Sequence, residues 1–156
     1  MTEPTLAARH LEDFTIGDRI RTGSIHITEA MSVDFAQTYD PQPIHVDAEA
    51  ARDSIFGGLV TSGWQTLALT MRLIADAKPL GATPLIGIEV QNLRFLHPVR
   101  PGDTLTVEAE VLGSRRSESR PERGFLDMAV TTRNQEGRPV VTQRWTLLVP
   151  TRDTAS

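Results

Sequence analysis

The chain has 156 residues, enough for one domain with a sizeable core. Apolar residues make up 39% and charged residues 23%, as in a soluble globular protein, and the net charge of −4 argues against a nucleic-acid binder, whose surface carries a basic face or stripe. Cysteine is absent, which removes disulfides, thiolate metal sites and a cysteine nucleophile.

The first ten residues include Glu3 and no apolar run of secretory type, so the expected compartment is the cytoplasm. Residues 19–27 read as a first strand. A helix is expected over 29–39: Thr28 is a fitting N-cap, and Pro41 disfavours α geometry at Asp40, which therefore sits at the helix exit. Pro41 and Pro43 hold 41–44 extended or turned, His45 follows, and a short helix is expected over 48–53. Ser62 can cap a longer helix over 63–76, in which Trp64, Leu67, Ala68, Met71 and Ile74 or Ala75 recur at helical spacing. That periodicity marks Trp64 and Met71 as core residues ahead of acyl-pocket residues. The rest of this helix is nearly as apolar, so other structure must wrap it. Residues 54–75 carry only Arg72 as a charge, but the Gly57-Gly58 pair and the Thr, Ser and Gln residues rule out a membrane span.

Beyond Pro84 the pattern changes to strands at 85–96, 103–113, 124–134 and 139–149. Leu105, Val107, Ala109 and Val111 alternate with Thr104, Thr106, Glu108 and Glu110, so one face is core and the other wet. Ile86, Ile88 and Val90 are out of phase with Leu93 and Phe95, which predicts a bulge near Gln91-Asn92. Tight turns are expected at 100–103 and 134–137. The expected fold is α+β: one antiparallel sheet of about five strands curled around one buried helix.

Most chemical motifs are missing. His10, His26 and His97 have no metal-ligand spacing with His45, so no metal is expected. The glycines between 57 and 63 make no phosphate loop, and Ser62 reads as a cap because no G-x-S-x-G surrounds it. Arg115, Arg116, Arg120 and Arg123 are diluted by Glu118 and Glu122 and read as a solvated hairpin tip ahead of a site for coenzyme A phosphates. What remains is Asp40 and His45, five positions apart, followed by a glycine-led helix whose N-terminus can polarise a carbonyl.

Three motifs in order carry a family resemblance: Asp40-Pro41-Gln42-Pro43-Ile44-His45; then Gly57-Gly58 and Ser62-Gly63-Trp64; then the run from Leu93 through Arg94, Phe95, His97 and Pro98 to Gly102-Asp103. Together they resemble the MaoC-like dehydratases and (R)-specific enoyl-CoA hydratases over roughly residues 12–150, within a single domain spanning 1–156. The resemblance implies the hotdog fold. It also implies hydration of a 2-enoyl-CoA, or dehydration of a (3R)-hydroxyacyl-CoA, with Asp40 and His45 acting on one water. Gly63 would offer its N–H to the thioester carbonyl, within a substrate-binding helix start made by Ser62, Gly63 and Trp64. No cofactor is implied beyond coenzyme A as part of the substrate. The partners implied are an acyl-CoA or acyl carrier protein thioester and a second copy in a homodimer or higher oligomer, with no nucleic acid and no membrane. At Gln42 the chain departs from the Asn usual in the family. A hotdog thioesterase and a non-catalytic acyl-thioester-binding module are the alternatives. The first usually needs a carboxylate on or near the central helix, and 63–75 contains none.

Overall fold

Alternation along the chain after Pro84 becomes sheet. The computed structural model describes residue 2 and residues 4–152; Met1, Glu3 and residues 153–156, with part of the expectation for the N-terminal segment, lie outside it. Five strands, β1 (Arg19–His26), β2 (Ile86–Phe95), β3 (Thr104–Arg116), β4 (Arg123–Arg133) and β5 (Pro139–Pro150), form one antiparallel sheet in the order β1-β3-β4-β5-β2. Leu105, Val107, Ala109 and Val111 are buried as their alternation requires, and Leu126, Met128 and Val130 of β4 and Val141, Trp145, Leu147 and Val149 of β5 extend that inner face.

Turn chemistry sets the connections. Asp103 accepts the Arg100 N–H at 2.9 Å, and the Asn134 side chain accepts the N–H groups of Glu136 and Arg138. The β3–β4 tip is a surface hairpin in which Arg115 lies over the Phe125 ring at 4.2 Å and Arg116 reaches Glu12 at 3.3 Å. Two ladder irregularities matter later. In β2 the register slips between Gln91 and Arg94 with Asn92 at φ +54°, at the site of the expected bulge, and in β1 it slips between Arg21 and Ser24.

Among the described residues four α-helices accompany the sheet, α1 (Glu29–Tyr39), α2 (Pro43–Val46), α3 (Ala48–Arg52) and α4 (Gly63–Ala77), with a short 3-10 helix at Leu11–Asp13. The Thr28 hydroxyl accepts the Met31 N–H at 3.1 Å, and Asp47 caps α3 through the N–H groups of Glu49 and Ala50. Of the two conformations the prolines allowed for 41–44, Gln42 is extended and the chain turns from Pro43 onward. Pro43 is the first residue of a one-turn helix, where its fixed φ is an advantage and its missing N–H costs nothing. α4 ends at Lys78, held in the left-handed region at φ +49° ahead of Pro79.

The buried side of α4 keeps Ile74 of the expected stripe, with Leu67 partly buried against the core, but not Trp64 or Met71. Gln65, Thr66, Thr70, Leu73 and Ile74 are buried, whereas Trp64 is 62% and Met71 44% exposed. Partners accommodate part of this inward polarity: Gln65 Nε2 donates to the Met31 carbonyl at 3.0 Å, and Thr70 bonds the Thr66 carbonyl and the Thr132 hydroxyl, while Gln65 Oε1 and Thr66 Oγ1 are buried without a partner among the described residues. With apolar residues nearly all round, periodicity alone did not determine which stripe would turn inward. The same applies to β2, whose Ile86, Ile88 and Val90 are about half exposed at the sheet edge.

Candidate active site

Asp40 is where α1 stops. Its N–H still bonds the Ala36 carbonyl, but its own backbone (φ −152°, ψ 65°) has left the helix, which turns the carboxylate away from the α1 axis. Three side chains converge on that carboxylate. Gln42 Nε2 donates to Oδ1 at 2.6 Å, the Ser62 hydroxyl donates to Oδ2 at 2.7 Å, and His45 Nε2 stands 3.2 Å from Oδ2. The Gln42 bond, then the Ser62 bond and more weakly the charge of His45, hold the carboxyl below its ordinary value of 3.8 against the opposing effect of burial. Asp40 is therefore a carboxylate at neutral pH.

His45 is buried in α2 and fixed from behind. Its Nδ1 lies 2.7 Å from the Val60 carbonyl, and the Val60 N–H returns a bond to the Ile44 carbonyl at 3.1 Å. A carbonyl only accepts, so Nδ1 carries a proton and Nε2 is the nitrogen turned toward Asp40. The one-turn helix begun at Pro43 is what lets the ring reach Val60.

Ser62 joins this pair to α4. It is fully buried, and while its hydroxyl donates to Asp40 it also accepts the Trp64 N–H at 3.3 Å. Its carbonyl accepts the N–H groups of Gln65 and Thr66. Three of the helix's first four N–H groups are thereby occupied, and the Gly63 N–H has no partner among the described residues. An unpaired N–H at a helix N-terminus, with the helix dipole behind it, is a donor ready for a partly negative oxygen. Two ties fix the helix start: the Thr61 N–H bonds the Val99 carbonyl at 2.7 Å, and the Thr61 hydroxyl meets that of Ser32 at 3.0 Å.

These groups open on a cavity of about 480 Å³ whose lining includes Asp40, His45, Gly63, Trp64, Phe95 and His97. Each residue marked in the sequence at the helix start is thus close to the Asp40–His45 pair, Ser62 as its hydrogen-bond partner and Gly63 and Trp64 in the cavity wall. Phe95 was not anticipated as part of the site. A Cβ built on Gly63 would lie about 2.5 Å from the Phe95 ring, so the ring occupies the room a side chain would need. The signal was the β2 phase slip, because the bulge at Asn92 brings Phe95 opposite Val141, another lining residue. The role of Gln42 was also missed: the longer amide reaches the carboxylate two residues back.

The chain is similar to known proteins over most of its length. A MaoC-like dehydratase from Rhodospirillum rubrum, seen in a crystal structure, is 40% identical, superposes with a TM-score of 0.83 and is matched over 92% of this chain and 97% of its own. The R-hydratase PhaJ1 from Pseudomonas aeruginosa is 28% identical with a TM-score of 0.73, matched over 93% of this chain and 88% of its own. The uncharacterized protein YdeM of Bacillus subtilis (strain 168) is 36% identical over 81% of this chain and 88% of its own length. The architecture is the hotdog fold, as the sequence resemblance implied. With residues 13–134 matching the MaoC-like domain, the chain belongs to the MaoC-like dehydratase family.

Proposed function

We propose that this chain reversibly hydrates a 2-enoyl-CoA, the reverse step being dehydration of a (3R)-hydroxyacyl-CoA. The observation that carries the reading is the arrangement around Ser62: one residue bonds the Asp40 carboxylate and takes up the neighbouring N–H groups, while the Gly63 N–H is left free beside the cavity. The thioester carbonyl accepts from Gly63, and a water is held between Asp40 and His45. In hydration the water oxygen bonds C3, the C2–C3 π pair moves into an enolate on the thioester oxygen, and the Asp40–His45 pair takes the water's proton and supplies one to C2. Protons and electrons balance within substrate and water, so the reading calls for no redox or metal cofactor, and coenzyme A enters as part of the substrate.

Along α4 itself the first carboxylate is Asp76, near its far end and ion-paired to Arg72 at 2.8 Å, so a thioesterase would have to use Asp40, the carboxylate bonded to the helix cap Ser62. Incubation with 2-enoyl-CoAs is expected to remove the enoyl thioester absorbance and give a single 3R product, with no free thiol in a dye assay. Thiol release from saturated and unsaturated thioesters alike would overturn the hydratase reading, and inertness toward the same acyl groups on both coenzyme A and acyl carrier protein would make the chain a binding module.

We also propose that the active form is a homodimer. β2 leaves one backbone edge unpaired, flanked by half-exposed Ile86 and Ile88, and a second copy across a two-fold axis would cover both.

A further inference from the structure

The catalytic cavity has a neighbour. A second groove of about 290 Å³ runs between α4 and the β2–β5 side of the sheet, walled chiefly by Leu67, Met71, Leu93, Trp145 and Leu147. Trp64 lines both spaces and so stands where they meet. That places the residue at odds with its chemistry. Trp is the largest side chain on α4, yet it is 62% exposed, while the smaller Leu73 and Ile74 of the same helix are packed in the core.

In the catalytic cavity Asp40, His45 and the Gly63 N–H mark the polar place where the reacting carbons and the thioester oxygen would be held. The groove beyond Trp64 is apolar apart from Glu89 and Gln143, suited to alkyl carbon, and Leu67 and Met71 continue the helix stripe that Trp64 begins. An acyl chain growing past the indole would enter the groove; with the indole in place, it meets a wall.

We propose that Trp64 sets the acyl-chain length of this site: the indole closes the catalytic cavity from the adjoining groove, making the substrates short 2-enoyl thioesters. The proposal rests on the hydratase reading and adds the substrate class to it. A methylene accepted or refused by an apolar pocket changes kcat/KM by roughly 10–200-fold, so a wall at this position has a large readout.

The test compares wild type, Trp64→Ala and Trp64→Ala/Met71→Trp on four-, six-, eight- and ten-carbon trans-2-enoyl-CoAs. Wild type is expected to favour the four-carbon substrate over the eight-carbon one by at least about tenfold, and Trp64→Ala to raise the eight-to-four-carbon ratio of kcat/KM by at least about tenfold. Met71→Trp refills the groove from its other side and is expected to return the ratio toward the wild-type value, which a merely loosened protein would not do. Calorimetric affinities for saturated butyryl-CoA and octanoyl-CoA are expected to move in the same order. An unchanged ratio in Trp64→Ala, with native circular dichroism, overturns the proposal, and so does dissociation of a dimer without a change in ratio, since Trp64 would then be packing on the second copy. If no variant hydrates any enoyl thioester, the hydratase reading falls on its own, and the calorimetric order still decides the wall: a gain for octanoyl-CoA in Trp64→Ala supports it and flat affinities overturn it.

Discussion

Asp40 is surrounded by donors, and what each donor does can be separated by substitution. If Asp40 and His45 act on the same water, Asp40→Asn and His45→Ala should each lower hydration by about two to four orders of magnitude, and the double variant should be little worse than either, as for residues acting as a unit. Turnover rates on a 2-enoyl-CoA check this, with circular dichroism to verify folding. The Gln42 amide is the largest influence keeping Asp40 ionised, so Asp40 protonates at a lower pH than an ordinary aspartate. Removing that donor in Gln42→Leu destabilises the charged form and raises the pKa. The acid limb of the kcat/KM profile should then move to higher pH, while the rate on the plateau changes less; an unmoved limb would mean that Asp40 does not govern it. The Asp–His spacing and the glycine at the helix start were legible in the sequence because each is a local pattern. The contacts Gln42–Asp40 and Phe95–Gly63 were not, since one depends on side-chain reach and the other on a ladder slip in a strand far along the chain.

Secondary structure was more legible than packing. All five strands, the bulge near Asn92 and the caps at Thr28 and Ser62 follow from alternation, turn residues and capping chemistry. The inward face of α4 does not, because a helix apolar on most sides gives little direction and the choice falls to hydrogen-bond partners on other elements, such as the Met31 carbonyl for Gln65 and the Thr132 hydroxyl for Thr70. On the wet side of the sheet Asp127 ties β4 to β5: it accepts from Thr146 at 2.6 Å and Arg144 at 3.0 Å, both on β5. Burial pushes the Asp127 carboxyl up, but those two bonds together with the charges of Arg144 and Arg115 outweigh it and leave the pKa lowered. A lowered pKa in the folded state means that this anchor contributes its full stability above the ordinary carboxylate value and loses it as pH falls through the folded one. Asp127→Ala should therefore cost about 1–3 kcal/mol in a urea unfolding experiment at pH 7. The gap from wild type should shrink in acid, once wild-type Asp127 is itself protonated.

At the level of the whole molecule, the two edges of the sheet differ. β2 presents apolar residues, and Ile88→Arg should convert the proposed dimer to monomers in light scattering and lower turnover with it; a dimer that survived this change would use another surface. β1, at the far edge, carries Arg19 and Arg21 held toward Glu108 and Glu110, and its ladder breaks between Arg21 and Ser24. In a dimer joined through β2, the only strand edges left open belong to the two copies of β1. A row of guanidinium groups on a strand interrupted by a bulge is a poor template for another strand. Edge-to-edge growth would therefore end after one pairing, and the protein could use an exposed strand for assembly without becoming a seed for fibres.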